Sequence, residues 1–81
     1  MLLKKIGDNM NEIILNNGDQ ILISYETPVA CIKGHELYYT NKKWSQTTTK
    51  HINRWFQLKG WLMTQPIFED QEFFNNLIKG V

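Results

Sequence analysis

Alternating apolar and polar positions dominate the first half of the chain and predict β-strands. Two such runs flank Asn17-Gly18. Asn-Gly is the preferred pair in a type I′ turn, because both central residues of that turn need a positive φ angle. A two-residue loop at this point places Ile14 opposite Ile21. We expect Ile14, Ile21 and Ile23 to share the core face of the sheet.

A second hairpin is predicted with its turn at Gly34-His35, because glycine at the first central position suits a type II′ turn. Its register places Lys33 opposite Glu36, so that the two charges attract each other across the strands. The two hairpins together predict a four-stranded antiparallel sheet. Residues 1–11 show no clear period, which leaves a weakly ordered lead-in or an edge strand as the two interpretations of this segment.

A helical period replaces the alternation after a polar loop. It predicts a helix at about 48–59, with Thr47 or Thr48 as its N-cap and Gly60 in a left-handed conformation just after its end. The apolar stripe of this helix, which we expect to pack on the sheet, consists of Ile52, Trp55 and Phe56.

A second, shorter helix is predicted at about 69–79, with acidic residues in its first turn and Lys79 in its last turn, as the helix dipole favours. Its apolar face consists of Phe73, Phe74, Leu77 and Ile78. The fold class expected from these elements is α+β: one small domain, residues 1–81, with a four-stranded antiparallel sheet and two helices.

Composition excludes several classes of protein. With 81 residues and a net charge of +1, the chain is neither a polycationic nucleic-acid coat nor a polyanionic DNA mimic. A single cysteine, Cys31, rules out an intrachain disulfide framework, and no apolar run predicts a signal peptide or a membrane span. A Cys31–His51 nucleophile pair is conceivable, but the β-strand context of Cys31 favours an inert buried thiol. No ligand spacing or phosphate loop indicates a metal or a cofactor, and we expect neither.

The middle of the chain carries the candidate binding chemistry. Residues 38–61 contain all three tryptophans and several basic side chains, but no acidic one. Basic and amide side chains in this pattern can contact phosphates, base edges or an acidic protein surface, and tryptophan is enriched at binding hot spots. The same side chains are also typical of a plain solvated helix face. The candidate partner-binding residues are Lys42, Lys43, Trp44, Lys50, Asn53, Arg54 and Gln57.

Two blocks of sequence, SYETPVA at 24–30 and YYTNKKWSQTTTKHINRW at 38–55, give the chain a resemblance to known proteins. It resembles a family of small uncharacterised proteins encoded by bacteriophages, whose pattern is S-Y-x-T-P-V-A, then Y-Y-x-T, then an aromatic-S-x-T-T-x-basic-H-I-N-basic-W segment. The resemblance implies a phage product made in the bacterial host cytoplasm, and it implies no catalytic residues. Some small phage proteins of this kind inhibit host defence, including CRISPR nucleases.

The expected function is therefore that of a non-catalytic phage accessory protein, which binds and inhibits or modulates a host protein or nucleoprotein complex. A defence complex such as a CRISPR effector is the partner that the resemblance favours, and no membrane is involved. Two alternatives stay open. One is a small nucleic-acid-binding regulator that uses the helix at 48–59, and the other is an assembly factor that homo-oligomerises through an edge strand.

Overall fold

The structure is a computed structural model, and it describes residues 2–42, 45–60 and 65–79. Six strands and two helices follow one another along these residues. The strands are β1 (Leu2–Gly7), β2 (Met10–Ile14), β3 (Gln20–Ser24), β4 (Thr27–Lys33), β5 (Glu36–Thr40) and β6 (Ile67–Glu69). The helices are α1 (Gln46–Leu58), which lies between β5 and β6, and α2 (Gln71–Lys79).

The six strands form one mixed sheet in the order β1-β2-β3-β4-β5-β6. Neighbours from β1 to β5 are antiparallel, whereas β6 runs parallel to β5. The predicted four-stranded antiparallel sheet is therefore wrong, although the domain is a small α+β domain. Strand β1 lies at one edge of the sheet, which confirms the edge-strand interpretation of residues 1–11, and the unpredicted strand β6 lies at the other edge. The parallel pairing follows from α1, which crosses over between β5 and β6.

The loop of the first hairpin is one residue longer than predicted. The Leu15 N–H donates to the Asp19 carbonyl at 2.8 Å, and the Gly18 N–H donates to the Leu15 carbonyl at 2.9 Å. Gly18 has a φ angle of 94°. This is the pattern of a three-residue loop, in which a type I turn is followed by a glycine in the left-handed region. The Asn17 side-chain oxygen accepts from the Asp19 N–H at 3.0 Å and supports this turn.

The extra loop residue shifts the register of the hairpin by one position. Ile13, and not Ile14, lies opposite Ile21. A shift of one residue moves each side chain of a strand to the other face of the sheet. Ile21 and Ile23 share a buried face as predicted, but the placement of Ile14 with them is wrong, because Ile13 takes its place there.

The predicted second hairpin is confirmed, both in its turn type and in the register of its two strands. Lys33 lies opposite Glu36 in the pairing of β4 with β5. Gly34 has a φ angle of 63°, and His35 is not among the residues with positive φ. A positive φ at the first central residue alone distinguishes a type II′ turn from a type I′ turn.

Strand β4 contains a proline, Pro28, as its second residue. The register shifts beside Ile23, which lies opposite Pro28, and this leaves Val29 as an extra residue in β4. The irregularity brings Val29 and Ala30, two consecutive residues, into the same buried cluster. A proline near the start of a strand and next to a bulge removes no essential ladder hydrogen bond.

Helix α1 starts two residues before the predicted position. Its N-cap is Ser45 in place of the predicted Thr47 or Thr48, and the Ser45 hydroxyl accepts from the Thr48 N–H at 3.2 Å. The predicted end is confirmed, because Gly60 follows the helix with a φ angle of 77°. Helix α2 starts at Gln71, after the Asp70 carboxylate accepts from the Phe73 N–H at 3.0 Å as a cap. The predicted start at 69 is wrong because residues 67–69 form β6.

The two helices cover opposite faces of the sheet. Alternate residues of β3 and β4 divide between two buried clusters, and successive residues of a strand point to opposite faces. The cluster under α1 consists of Met10, Leu22, Val29, Ala30, Ile32, Leu37, Ile52, Trp55 and Phe56. The cluster under α2 consists of Ile21, Ile23, Cys31 and Phe74, with partly buried neighbours that include Phe73, Leu77 and Ile78. The predicted apolar faces of both helices are therefore confirmed.

Candidate functional site

The outward face of α1 presents four of the predicted binding residues together. Lys50, Asn53, Arg54 and Gln57 are all exposed, and their spacing places them side by side on one face of the helix. The helix contains no acidic residue. In the part of the chain that the structure describes, the ion pairs are Lys33–Asp19 and Lys59–Glu12, so neither Lys50 nor Arg54 has a carboxylate partner there.

A buried carboxylate fixes the rotation of α1 and so determines which side chains point outward. Glu12, on β2, is only 1% exposed. Its Oε1 accepts from the Trp55 indole N–H at 3.1 Å and pairs with the Lys59 ammonium group. A buried charge needs such partners because an unpaired one costs several kcal/mol. The sequence shows no local signal for this contact, because Glu12 and Trp55 are 43 residues apart in the chain.

A second polar cluster lies under the start of α1. The Ser24 hydroxyl is 2.8 Å from His51 Nδ1 and 3.1 Å from the Thr48 hydroxyl. The His51 ring also contacts the Tyr25 ring, with 5.8 Å between centroids. Burial lowers the pKa of His51 below its ordinary value, because the charged imidazolium loses hydration. His51 therefore makes its polar contact with Ser24 and its ring contact with Tyr25.

Tyr25 holds an unusual backbone conformation at the edge of this cluster. Its φ angle is 59°, and the φ angle of Asn9 is 58°. The Tyr25 N–H donates to the Asn9 carbonyl at 2.7 Å, which ties the two turns together. A left-handed conformation costs a residue with a Cβ atom about 1–2 kcal/mol. The contacts with Asn9 and His51 offset this cost and leave the tyrosine ring about half exposed.

An open cleft of about 280 Å³ adjoins the same helix on the side of β5 and β6. Phe68 of β6 forms part of its wall and is 59% exposed, with its ring 5.3 Å from the Tyr39 ring. The Tyr39 hydroxyl donates to the Asn53 side-chain oxygen at 3.3 Å, which connects the cleft to the outward face of α1. The cleft is lined by Tyr39, Thr40, Asn41, Lys42, Thr48, Thr49, Ile52 and Phe68.

Three predicted binding residues remain to be located relative to this cleft: Lys42, Lys43 and Trp44. Lys42 is one of the lining residues, and its backbone N–H donates to the Thr40 hydroxyl at 3.2 Å. Lys43 and Trp44, also predicted to bind the partner, lie outside the described residues. Phe68 was missed by the sequence reasoning, because a three-residue strand gives too short a pattern to detect.

The residues considered for catalysis do not come together. Cys31 is buried under α2, whereas His51 lies on α1 at the opposite face of the sheet. Burial, reinforced by the charge of Asp19, raises the pKa of the Cys31 thiol to about 12, so the reactive thiolate is suppressed. Among the residues that the structure describes, no group of three or more His, Cys, Asp or Glu side chains is placed to hold a metal ion.

In the described ranges, no helix has the length and apolar character needed to span a bilayer.

Comparison with known proteins places the chain in a family. Residues 1–75 match the model of DUF8033, which is described as a family of unknown function. Because the match covers nearly the whole chain, the protein belongs to this family. A search of the curated proteins and a search of the solved structures found no match.

Proposed function

We propose that this member of the DUF8033 family is a non-catalytic binding protein, which engages a macromolecular partner through the outward face of α1 and the adjoining cleft. One observation carries the proposal. Lys50, Asn53, Arg54 and Gln57 form a single exposed face without an acidic residue, and this face meets a cleft that has an exposed aromatic wall.

The anchoring of α1 supports this proposal. Trp55 and Lys59 are held by Glu12, and His51 is held by Ser24, so both ends of the helix have directional contacts to the sheet. A surface whose side chains are already oriented loses less conformational entropy when it binds. The separation of Cys31 from His51 supports a binding role over nucleophilic catalysis.

The proposed partner is a host protein or nucleoprotein complex in the bacterial cytoplasm, and in particular a defence complex such as a CRISPR effector. This narrower proposal rests on the resemblance of residues 24–30 and 38–55 to small bacteriophage proteins. The structure adds that these two blocks meet in space, because Ser24 and Tyr25 of the first block contact Thr48 and His51 of the second.

Direct binding of nucleic acid is the second candidate, since basic and amide side chains on one helix face can contact phosphates and bases. The small number of charges counts against it. Lys42, Lys50 and Arg54 would give a slope of about −3 in log K against log salt, whereas tight binders neutralise about 6–10 phosphates.

Homo-oligomerisation through a sheet edge is the third candidate. The edge strand β1 carries two exposed lysines, Lys4 and Lys5. Lysines on an edge strand oppose its pairing with a second copy, which makes this edge a poor assembly surface. Light scattering over a range of concentrations tests the point, because assembly requires a mass that increases with concentration.

The proposal is tested by capturing partners from a bacterial host lysate with the tagged protein. Wild type is compared with the Lys50→Glu/Arg54→Glu variant, which reverses the charge of the α1 face. The control is Lys5→Glu/Lys79→Glu, which changes the net charge equally but on other exposed positions. We expect a stoichiometric partner that survives nuclease treatment, is kept by the control and is lost by the α1 variant.

Two outcomes would contradict the proposal. A partner that the α1 variant captures as well as wild type does would place the binding surface elsewhere. Material that disappears on nuclease treatment would instead support nucleic-acid binding.

A further inference from the structure

We infer that the cleft beside α1 receives one large apolar side chain from an acidic segment of the partner protein, while Lys50 and Arg54 face carboxylates of that segment. This inference rests on the proposed function and names the chemistry of the partner. Three features of the described residues carry it: the size of the cleft, its aromatic wall and the charge around it.

The cleft is large enough for one side chain. Its volume of about 280 Å³ lies at the lower limit of the range of about 300–1,000 Å³ that is usual for small-molecule sites. Ile52 and the rings of Tyr39 and Phe68 supply apolar surface, and Thr48 and Thr49 supply hydroxyl groups. A pocket of this kind can desolvate one Leu, Met, Phe or Trp side chain, which is how anchors at protein interfaces are bound.

The aromatic wall is exposed although the same cluster buries other aromatic rings. Tyr39 contacts the buried Phe56 ring at 5.5 Å and the Phe68 ring at 5.3 Å, so a continuous row of rings runs from the core to the surface. Phe68 ends this row with 59% of its surface exposed. An exposed aromatic side chain at the end of a rigid row is an efficient contact, because few torsion angles must be fixed when a ligand binds.

The charge around the cleft selects an acidic ligand. Helix α1 contains no acidic residue, Lys42 lines the cleft, and Lys50 directly follows the cleft residue Thr49 on the exposed side of the helix. Glu69, the acidic residue nearest in sequence to Phe68, follows it directly in β6, so it points to the opposite face of the sheet. An acidic segment therefore meets attraction on the α1 side without repulsion from β6.

An acidic protein segment fits these features better than a nucleic acid does. Single strands are held by several aromatic platforms along a basic groove. In the described part of this surface, Tyr39 and Phe68 contact each other and so present one stacking surface, not a series. Three basic side chains suffice for a short acidic peptide, whereas they give only weak attraction to a phosphate backbone.

The test uses a displayed library of random 12-residue peptides, selected on the wild-type protein. Each recovered peptide is then measured on Thr49→Trp, which fills the cleft from α1, and on Asn76→Trp, which places the same side chain at an exposed position of α2, on the opposite face of the sheet. We expect peptides that share one large apolar residue beside Asp or Glu. Binding should weaken about 10-fold or more in Thr49→Trp, as loss of an anchor does, and by less than about 2-fold in Asn76→Trp.

Urea unfolding of both tryptophan variants tests whether a change in binding comes from a loss of stability. Both positions are exposed, so we expect midpoints close to the wild-type value. Phe68→Ala gives a second measure of the same site, because it removes the exposed wall without filling the cleft. It should weaken the recovered peptides as well.

Several results would overturn the inference while leaving the proposed function intact. These are peptides without the acidic and apolar pattern, peptides that bind Thr49→Trp as tightly as wild type, and a selection that recovers no peptide. Binding of a fluorescent 20-nucleotide single strand that Thr49→Trp abolishes would assign the cleft to a base. Failure of the proposed function has a different signature, because Lys50→Glu/Arg54→Glu would then retain the captured partner.

Discussion

The two faces of the sheet hold their helices by different means. Under α1, buried polar groups form directional contacts: Glu12 binds Trp55 and Lys59, and Ser24 binds Thr48 and His51. Under α2, the contacts are mainly apolar. Polar contacts to the sheet are made at the start of the helix by Gln71. Its amide donates to the Pro28 carbonyl at 2.7 Å, and its side-chain oxygen accepts from the Thr40 hydroxyl at 3.0 Å.

This difference shows that the contacts that fix the orientation of a helix need not be the ones that stabilise it. Apolar contacts stabilise a helix, but they tolerate small rotations and repacking. A buried charge accepts only arrangements that satisfy its partners, so it defines one rotation of the helix. We therefore interpret α1 as the helix whose orientation matters for binding, and α2 as the helix that closes the other face of the core.

The largest effect is expected when a polar anchor and a large buried ring are removed together. Trp55→Leu removes a fully buried indole and leaves Glu12 without its N–H donor. We expect the free energy of unfolding to fall by about 3–5 kcal/mol, as for other large-to-small changes in a core. Urea denaturation with a comparison of midpoints and slopes gives the value.

Phe74→Leu is the matched change on the α2 face. Phe74 is also fully buried, but its phenyl ring has no N–H or O–H donor, so its loss leaves no acceptor without a hydrogen bond. We expect a smaller loss of about 1–2 kcal/mol, because apolar exchanges of related size are tolerated. Equal losses at the two positions would remove the distinction between the faces.

A second test compares the two ion pairs, Glu12–Lys59 and Asp19–Lys33, which differ in the exposure of the lysine. Glu12→Gln keeps an acceptor for the Trp55 indole but loses the pairing with Lys59, whose side chain is 27% exposed. We expect the free energy of unfolding to fall by about 1–2 kcal/mol. This is toward the lower end of the range for a hydrogen bond to a charged group, because the Lys59 ammonium group still reaches water. Asp19→Asn breaks the pair with Lys33. The Asp19 side chain is only 10% exposed, but that of Lys33 is 48% exposed and well hydrated, so we expect a loss of about 1 kcal/mol or less. Thermal or urea unfolding in parallel distinguishes the two.

The polar cluster at Ser24 predicts a pH dependence. The pKa of His51 is lowered in the folded protein, so the unfolded chain binds a proton first as the pH falls below about 6.5. The contribution of His51 to stability is therefore complete above pH 6.5 and is lost as the pH falls from there through the folded-state pKa. Between about pH 7.5 and 5.5, wild type should lose more stability than His51→Gln does. Parallel curves would show that His51 titrates alike in both states.

Sequence patterns predicted the elements whose signals are local. The Gly34-His35 turn needs only one glycine with positive φ, and the stripe of Ile52, Trp55 and Phe56 repeats at helical spacing, so both were predicted correctly. The first hairpin failed because Asn17-Gly18 also fits a three-residue loop, in which only Gly18 needs a positive φ angle. Strand β6 failed because three residues carry no detectable period.

The candidate site was predictable only in part for a related reason. The outward face of α1 follows directly from its apolar stripe, so Lys50, Asn53, Arg54 and Gln57 could be placed from the sequence. The cleft could not, because its walls come from Thr49 and Phe68, which are distant in the chain and meet only when β6 pairs with β5. The pairing of Glu12 with Lys59 likewise depends on the register of β2 and on the rotation of α1, neither of which has a local signature.

The smallest effect on stability is expected where the effect on binding is largest. Lys50 and Arg54 are exposed and have no ion-pair partner among the described residues, so Lys50→Glu/Arg54→Glu should change the free energy of unfolding by less than about 0.5 kcal/mol. Residues 50 and 54 lie four residues apart and carry like charges both in wild type and in the variant, so the helix neither gains nor loses an attraction between them. Urea unfolding and partner capture are measured on the same preparation. If the variant lost stability and binding together, the α1 face would belong to the scaffold. Loss of binding alone would show that the anchored helix presents a surface whose side chains serve the partner and not the fold.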